Sequence, residues 1–214
     1  MLSALSSGVL YSFASFADGH ILEFGTQTGR TSAVLAHNIK LQNKNLGRIF
    51  GSKKLHLFDS FVGLPDPFNN SVDSLNLFTI KGVWRKNSLT GINQKKLNNV
   101  IRRTLPKDDY VIYSGFFSET LASFSAKCAL LHIDSDLYSS AHEILDSLFS
   151  RNLISNGCCI MFDDYDLDQA NPNSGERRAW DEAILKYQVQ YSDHGSYGLF
   201  AHKFIIHSYN SGIN

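Results

Sequence analysis

Cysteine and net charge are both scarce in this chain, and each shortage removes a class of explanation. Only three cysteines occur in 214 residues, Cys128, Cys158 and Cys159. Their odd number, with two side by side in one apolar run, excludes a disulfide framework and points to a reducing, cytoplasmic setting. The absence of any Cys-x-x-Cys pair argues against structural zinc. Lys plus Arg equals Asp plus Glu at 20 each, so the net charge is zero and offers no field for nucleic acid or an anionic membrane. The basic pairs Lys53-Lys54, Lys95-Lys96 and Arg102-Arg103 are short and read as solvated faces rather than phosphate clamps. No apolar run approaches the ~18 residues that a membrane helix needs. The segment Met1–Phe16 lacks the basic start of a signal peptide and reads as an opening helix.

What is present suits one globular domain over 1–214, with hydrophobic residues at 43% and no internal repeat. Strand-like runs lie at His20–Phe24, Lys54–Phe58, Tyr110–Tyr113, Cys128–Ile133 and Cys158–Phe162, and helical patterns at Thr31–Ile39, Ser88–Thr104, Ser139–Phe149 and Glu176–Lys186. This alternation predicts an α/β fold, a doubly wound and mostly parallel sheet with helices on both faces. The tail Leu199–His207 reads as one more strand, antiparallel at an edge. The stretch 63–91 breaks the rhythm, with Pro65, Pro67, Asn69 and Asn70 and few periodic apolar residues. Loops that long in a compact domain serve as lids or binding loops. Phe68, Phe78 and Trp84 would either cover a substrate there or pack a flap onto the sheet. In the N-terminal helical segment 1–19, Leu2, Leu5, Val9, Leu10, Phe13 and Phe16 would pack on their own domain or on a second copy in a homo-oligomer.

The chemistry concentrates at strand ends. Asp134 closes the run Ala129–Ile133, and Asp163 and Asp164 close Cys158–Phe162. Carboxylates at the carboxyl edge of a parallel sheet stand where open α/β folds bind ligands. Three of them converging would repel one another and call for a hard cation, Mg²⁺ before Zn²⁺. The first strand runs through Glu23 into Gly25-Thr26-Gln27-Thr28-Gly29, a glycine turn without the G-x-G-x-x-G spacing of dinucleotide sites. It suits a nucleoside cofactor carrying an amine and a carboxylate, or is an ordinary strand–helix turn. Asp59 at the second strand's tip can accept both hydroxyls of a ribose. Gly115 and Phe116 after the third strand would flank a purine, or be a turn and a core anchor.

In the stretches ILEFGTQTGRTS, LFDSFVGLPD, YSGFFSETL, LLHIDSDLYSS, MFDDYD and GERRAWDEAI, across roughly residues 20–186, the chain resembles the macrocin O-methyltransferase family. The resemblance implies a class I methyltransferase, a Rossmann-like seven-stranded sheet with a lid-like insertion after the second strand, using S-adenosylmethionine and Mg²⁺ on a sugar hydroxyl or vicinal diol. It assigns Glu23, Gly25, Thr26, Gly29 and Thr31 to the methionine end, Asp59 and Ser60 to the ribose, and Asp134, Asp163 and Asp164 to the metal. Two departures stand out: Thr28 and Arg30 in the glycine loop, and a longer turn, Ile154-Ser155-Asn156-Gly157, before the fifth strand. The acceptor, a small molecule or glycan, does not carry over.

Asp134 is expected to serve as ligand and proton acceptor, with His132 and His194 as other bases. Asp136 would cap the helix near Ser139. Arg177 and Arg178 would brace the carboxylates, touch the acceptor or sit in a solvated helical turn. Three rival readings have less support. Asp134-Ser135-Asp136 has the Asp-x-Asp form of glycosyltransferases that hold Mn²⁺ and a nucleotide sugar. An NAD-linked oxidoreductase lacks its glycine spacing, and a non-catalytic S-adenosylmethionine-binding protein has no reason to keep all three metal-ligand candidates.

Overall fold

A computed structural model describes residues 2–212. Its seven strands are β1 (His20–Phe24), β2 (Leu55–Asp59), β3 (Tyr110–Ser114), β4 (Cys128–Ile133), β5 (Ile154–Phe162), β6 (Gln190–Ser196) and β7 (His202–Ser208). They form one sheet in the order β3-β2-β1-β4-β5-β7-β6. The first five run parallel, and β7 pairs antiparallel with both β5 and β6. This is the seven-stranded arrangement of class I methyltransferases. The central strands β1 and β4 are apolar without alternation because both faces are covered; all six residues of β4 are buried.

The longer helices are α1 (Leu2–Ala14), α2 (Arg30–Asn45), α3 (Gln94–Ile101), α4 (Tyr138–Ser150) and α5 (Gly175–Tyr187). One face of the sheet carries α1, α2 and α3 through Leu5, Val9, Phe13, Leu35, Ile39 and Leu97. The other carries α4 and α5 through Ile144, Leu148, Phe149, Ala179 and Trp180. The N-terminal helix therefore packs on its own sheet; Leu10 on its outer face and Phe16 just past its end are the large apolar residues left exposed there. No helix among the described residues is long and apolar enough to cross a membrane.

The structure corrects four local expectations. The helix expected over 88–104 is confined to Gln94–Ile101, where Asn93 caps it by accepting from the Lys96 amide at 3.0 Å. The tail strand β7 is not at the edge, because β6 lies outside it. β6 reads QYSDHGS, mostly polar and exposed, so no apolar signal marked it. The residues Ile154–Gly157 are not a turn but the start of β5. Cys128 pairs with Ile154 and Leu130 with Cys159, so two steps on β4 face five on β5, and the surplus bulges at Gly157 (φ 80°).

The 63–91 segment is folded down, with short helical turns at Pro67–Asn69, Ser71–Ser74 and Leu77–Ile80. Trp84 is buried and forms a small core with Leu64 and Leu137. Asp73, also buried, accepts from the amides of Tyr138 (2.7 Å) and Ser139 (3.1 Å). Asn76 donates to Ser174 at 2.6 Å. The segment thus packs onto the chain that follows β4 and β5, while Phe68 stays exposed.

Candidate active site

The carboxyl ends of β1, β2, β4 and β5 open into a cavity of about 690 Å³. Gly25, Asp59, Ser60, Phe116, Asp134, Asp163 and Asp164 all line it. Glu23, Thr26, Gly29, Thr31 and Gly115 stand behind that wall. The glycine turn owes its shape to its neighbours. A Cβ on Gly25 (φ 85°) would lie 1.9 Å from the Asp134 carbonyl oxygen, so only glycine lets the tip of β1 press against that of β4. Gly29 (φ 75°) opens α2.

Asp59 is tied into this turn. Its Oδ2 accepts from Thr26 N (2.8 Å), Thr26 Oγ1 (2.7 Å) and Gln27 N (3.2 Å), and its Oδ1 accepts from Phe61 N (2.7 Å). The remaining free acceptor capacity lies on Oδ1. Ser60 also acts locally, donating to the Gly63 carbonyl at 2.7 Å. Glu23 is fully buried; it accepts from the Ser32 hydroxyl and sits 3.4 Å from His132 Nδ1.

At the far end of the cavity, carboxylate oxygens of Asp134, Asp136 and Asp164 lie within 4.8 Å of one another. The third member is Asp136 and not Asp163. Asp163 N extends the ladder to the Ile133 carbonyl at 2.9 Å, so its side chain follows Met161 to the α2 face beside His132. Successive strand residues point to opposite faces, so Asp163 shares its face with Asp134, one step past the Ile133–Phe162 pair, and the pleat alone does not select the three. Asp136, in a left-handed conformation (φ 60°), does not cap α4; Asp73 does that. The Trp84 indole N–H donates to Asp136 instead. The Asp-x-Asp pair therefore does converge, together with Asp164.

Glu176, at the start of α5, is completely buried behind the cluster. Its Oε1 accepts from Ser135 N (2.9 Å) and its Oε2 from Asp164 N (3.0 Å), joining the tips of β4 and β5. Crowding shows in the proton affinities. Burial first, then Asp163, Asp136 and Asp164, raise Asp134 well above the usual carboxylate range. Burial, then Asp136 and Asp163, push Asp164 up. Burial, then Asp164, hold Glu176 far up. Asp134, Asp136 and Asp164, crowded together in front of Glu176, form a site suited to a hard cation.

The basic residues play no part in the cluster. Arg177 contacts Asp166 (3.4 Å) and the Ala170 carbonyl (3.1 Å), and Arg178 pairs with Glu182 at 2.8 Å. His194 is exposed on β6, at the far edge of the sheet. Asp73 and Glu176 escaped the sequence reading as site residues, and Trp84, read there as a substrate cover or a flap anchor, is buried with Leu64 and Leu137. Only Glu176 had a signal, as the first acid of GERRAWDEAI.

The family profile described as Macrocin-O-methyltransferase (TylF) matches residues 11–183. Solved structures share the fold. The O-methyltransferase NovP superposes with a TM-score of 0.76 at 18% identity, covering 97% of this chain and 79% of its own. The calicheamicin methyltransferase CalS11, also described as a TDP-rhamnose 3'-O-methyltransferase, gives 0.71 at 18% identity, covering 95% and 77%. The SAH-bound Podospora anserina methyltransferase PaMTH1 gives 0.54 at 10% identity, covering 96% and 78%. No curated protein matches the chain in sequence. With the profile spanning most of the chain, and the sheet order and glycine turn in agreement, this chain belongs to the macrocin-O-methyltransferase family and is an S-adenosylmethionine-dependent O-methyltransferase.

Proposed function

We propose that this enzyme methylates a hydroxyl of a sugar or vicinal diol in a natural product or glycan, with Mg²⁺ as a second cofactor. The observation that carries this reading is the convergence of Asp134, Asp136 and Asp164 in the same cavity that reaches the glycine turn. Oxygen-only donors packed this closely fit Mg²⁺, and among the described residues no cationic side chain lines the cavity to neutralise them.

When bound, S-adenosylmethionine supplies an electrophilic methyl on sulfur, and Mg²⁺ supplies charge that acidifies and orients a hydroxyl pair. The chain's own residues do the rest. Gly25 and the turn held by Asp59 seat the cofactor at the tip of β1. Asp134, at the tip of β4 within the cluster, is the residue placed to accept the hydroxyl proton. Glu176 fixes the backbones of Ser135 and Asp164, and so the spacing of the cluster. The 63–91 segment, held by Asp73, Asn76 and Trp84, acts as a lid that excludes water.

The test is calorimetric titration with S-adenosylhomocysteine, with and without Mg²⁺, followed by transfer from S-adenosylmethionine to a methyl glycoside bearing a vicinal diol. Micromolar binding that metal changes little, with transfer lost on adding EDTA, is the expected result. Transfer that EDTA leaves untouched would remove the metal from the reaction.

A further inference from the structure

The two edges of the sheet carry opposite charge. Carboxylates gather at the carboxyl edge around the cavity, whereas residues 24–58 hold six Lys or Arg and no acid. Lys44 in the last turn of α2, Arg48 just beyond it and Lys54 before β2 are all exposed, and no ion pair among the described residues engages them. They stand at the amino edge, where β2 begins. We infer that this edge is a docking surface for an anionic lipid bilayer: Phe16 and Ile49 enter the headgroup layer, and Lys44, Arg48 and Lys54 pair with lipid phosphates beside them.

Two apolar side chains project next to these cations. Phe16 is 77% exposed, and Ile49, in the helical turn Gly47–Phe50, is 73% exposed. They belong to one patch, because the Phe16 ring meets the ring of Phe50 edge-on at 5.0 Å. Hydrogen bonds hold the patch in place. Asn43 Nδ2 donates to the Lys53 carbonyl and the Lys53 amide donates to Asn43 Oδ1, both at 2.9 Å. The Lys53 ammonium turns inward onto the carbonyls of Ala17 (2.6 Å) and Gly19 (3.1 Å). Phe16 also sits in the left-handed region (φ 58°), which is strained for a bulky side chain, yet most of that side chain lies in water. Neighbouring large apolar groups presented in this way mark a contact surface, and a basic rim around them matches anionic headgroups.

Asp18 is the acid of this stretch. The adjoining start of β3 adds Arg102, Arg103 and Lys107 against Asp108 and Asp109, so the edge stays positive. The zero net charge of the chain does not oppose docking, because headgroups act on charges within a Debye length of ~10 Å. A two-fold contact between copies would set the basic patch against itself. A nucleic-acid backbone would answer the charges but leave Phe16 and Ile49 without a partner. The five residues of β1, roughly 17 Å, separate this edge from the cavity, so a docked molecule turns its active site to the aqueous side.

The experiment floats the full chain with vesicles of equimolar phosphatidylglycerol and phosphatidylcholine, and with phosphatidylcholine alone. Binding to the anionic vesicles should be at least tenfold tighter and should weaken as salt rises. Lys44→Gln/Arg48→Gln and Phe16→Asn/Ile49→Ser should each lower that affinity at least tenfold. Both should keep wild-type S-adenosylhomocysteine binding, since none of the four residues lines the cavity. A polarity-sensitive fluorophore on Ile49→Cys, selective because the three native cysteines are buried, should shift to the blue on anionic vesicles. Absence of vesicle binding, binding that either double variant leaves unchanged, or a label that stays in water overturns the inference. Duplex DNA bound more tightly than the vesicles, or a dimer that Phe16→Asn/Ile49→Ser dissociates, overturns it in favour of nucleic acid or a second copy.

Discussion

Asp59 offers the sharpest separation of a structural role from a binding role. Its Oδ2 serves Thr26 N, Thr26 Oγ1 and Gln27 N, and its Oδ1 serves Phe61 N. Thr26 is buried, so Asp59→Ala strands two donors that water cannot reach, and the Gln27 and Phe61 amides turn to solvent. An unsatisfied buried donor costs about 1–3 kcal/mol, so the substitution should destabilise the protein by roughly 2–5 kcal/mol. It should also abolish tight cofactor binding, because the glycine turn loses its tether. Asp59→Asn behaves differently. Its amide oxygen can face Thr26 and keep those acceptances, while its NH₂ replaces Oδ1 and loses only the half-buried Phe61 amide. Stability should fall by only about 1 kcal/mol. If the free capacity of Oδ1 receives a ribose hydroxyl, however, the NH₂ group should weaken S-adenosylhomocysteine by roughly tenfold, equivalent to about 1.4 kcal/mol. Urea denaturation and calorimetry on the two variants measure both quantities. Wild-type affinity in Asp59→Asn would refute a ribose contact and leave Asp59 as a brace. A fully stable Asp59→Ala would refute the brace.

Asp134→Asn should nearly abolish methyl transfer while S-adenosylhomocysteine binding persists; equal turnover under saturating Mg²⁺ would sink its assigned role. Trp84→Phe keeps an aromatic ring in the small core but removes the donor to Asp136, so Mn²⁺ affinity by calorimetry should fall roughly tenfold, the worth of one charge-assisted hydrogen bond. Unchanged affinity would show that Asp136 needs no support from the lid. His56, held down to about 4 by burial, then by His20 and Lys54, makes stability depend on pH. Its folded-state pKa lies below the unfolded one, so its contribution is full above about 6.5 and is lost as pH falls towards 4, with about 2 kcal/mol gone at pH 5. Urea midpoints at pH 7 and 5 should differ less in His56→Phe than in the wild type, and an identical pH dependence would exclude His56 as a source.

Sheet type and the location of the acids were legible in the chain because they rest on local pattern, whereas the cofactor came through the resemblance of its motifs to a family. The runs His20–Phe24 and Cys128–Ile133 are bounded as expected, since strands buried on both faces are continuously apolar. Asp59, Asp134, Asp163 and Asp164 announce themselves as acids at the ends of such runs, and all of them reach the cavity. Membership of a metal cluster is a different kind of property. It depends on how the chain runs once it has left the strand, which leaves Asp163 outside the group and brings Asp136 into it through a left-handed conformation. Contacts across large sequence separations were equally out of reach. Asp73 caps a helix 65 positions away, and Glu176 binds amides in two loops. Such partners are chosen by packing in three dimensions, and no spacing along the chain encodes them. By itself the sequence determined where charge could stand along the sheet edge; only the tertiary structure decided which of those charges meet and which serve as braces.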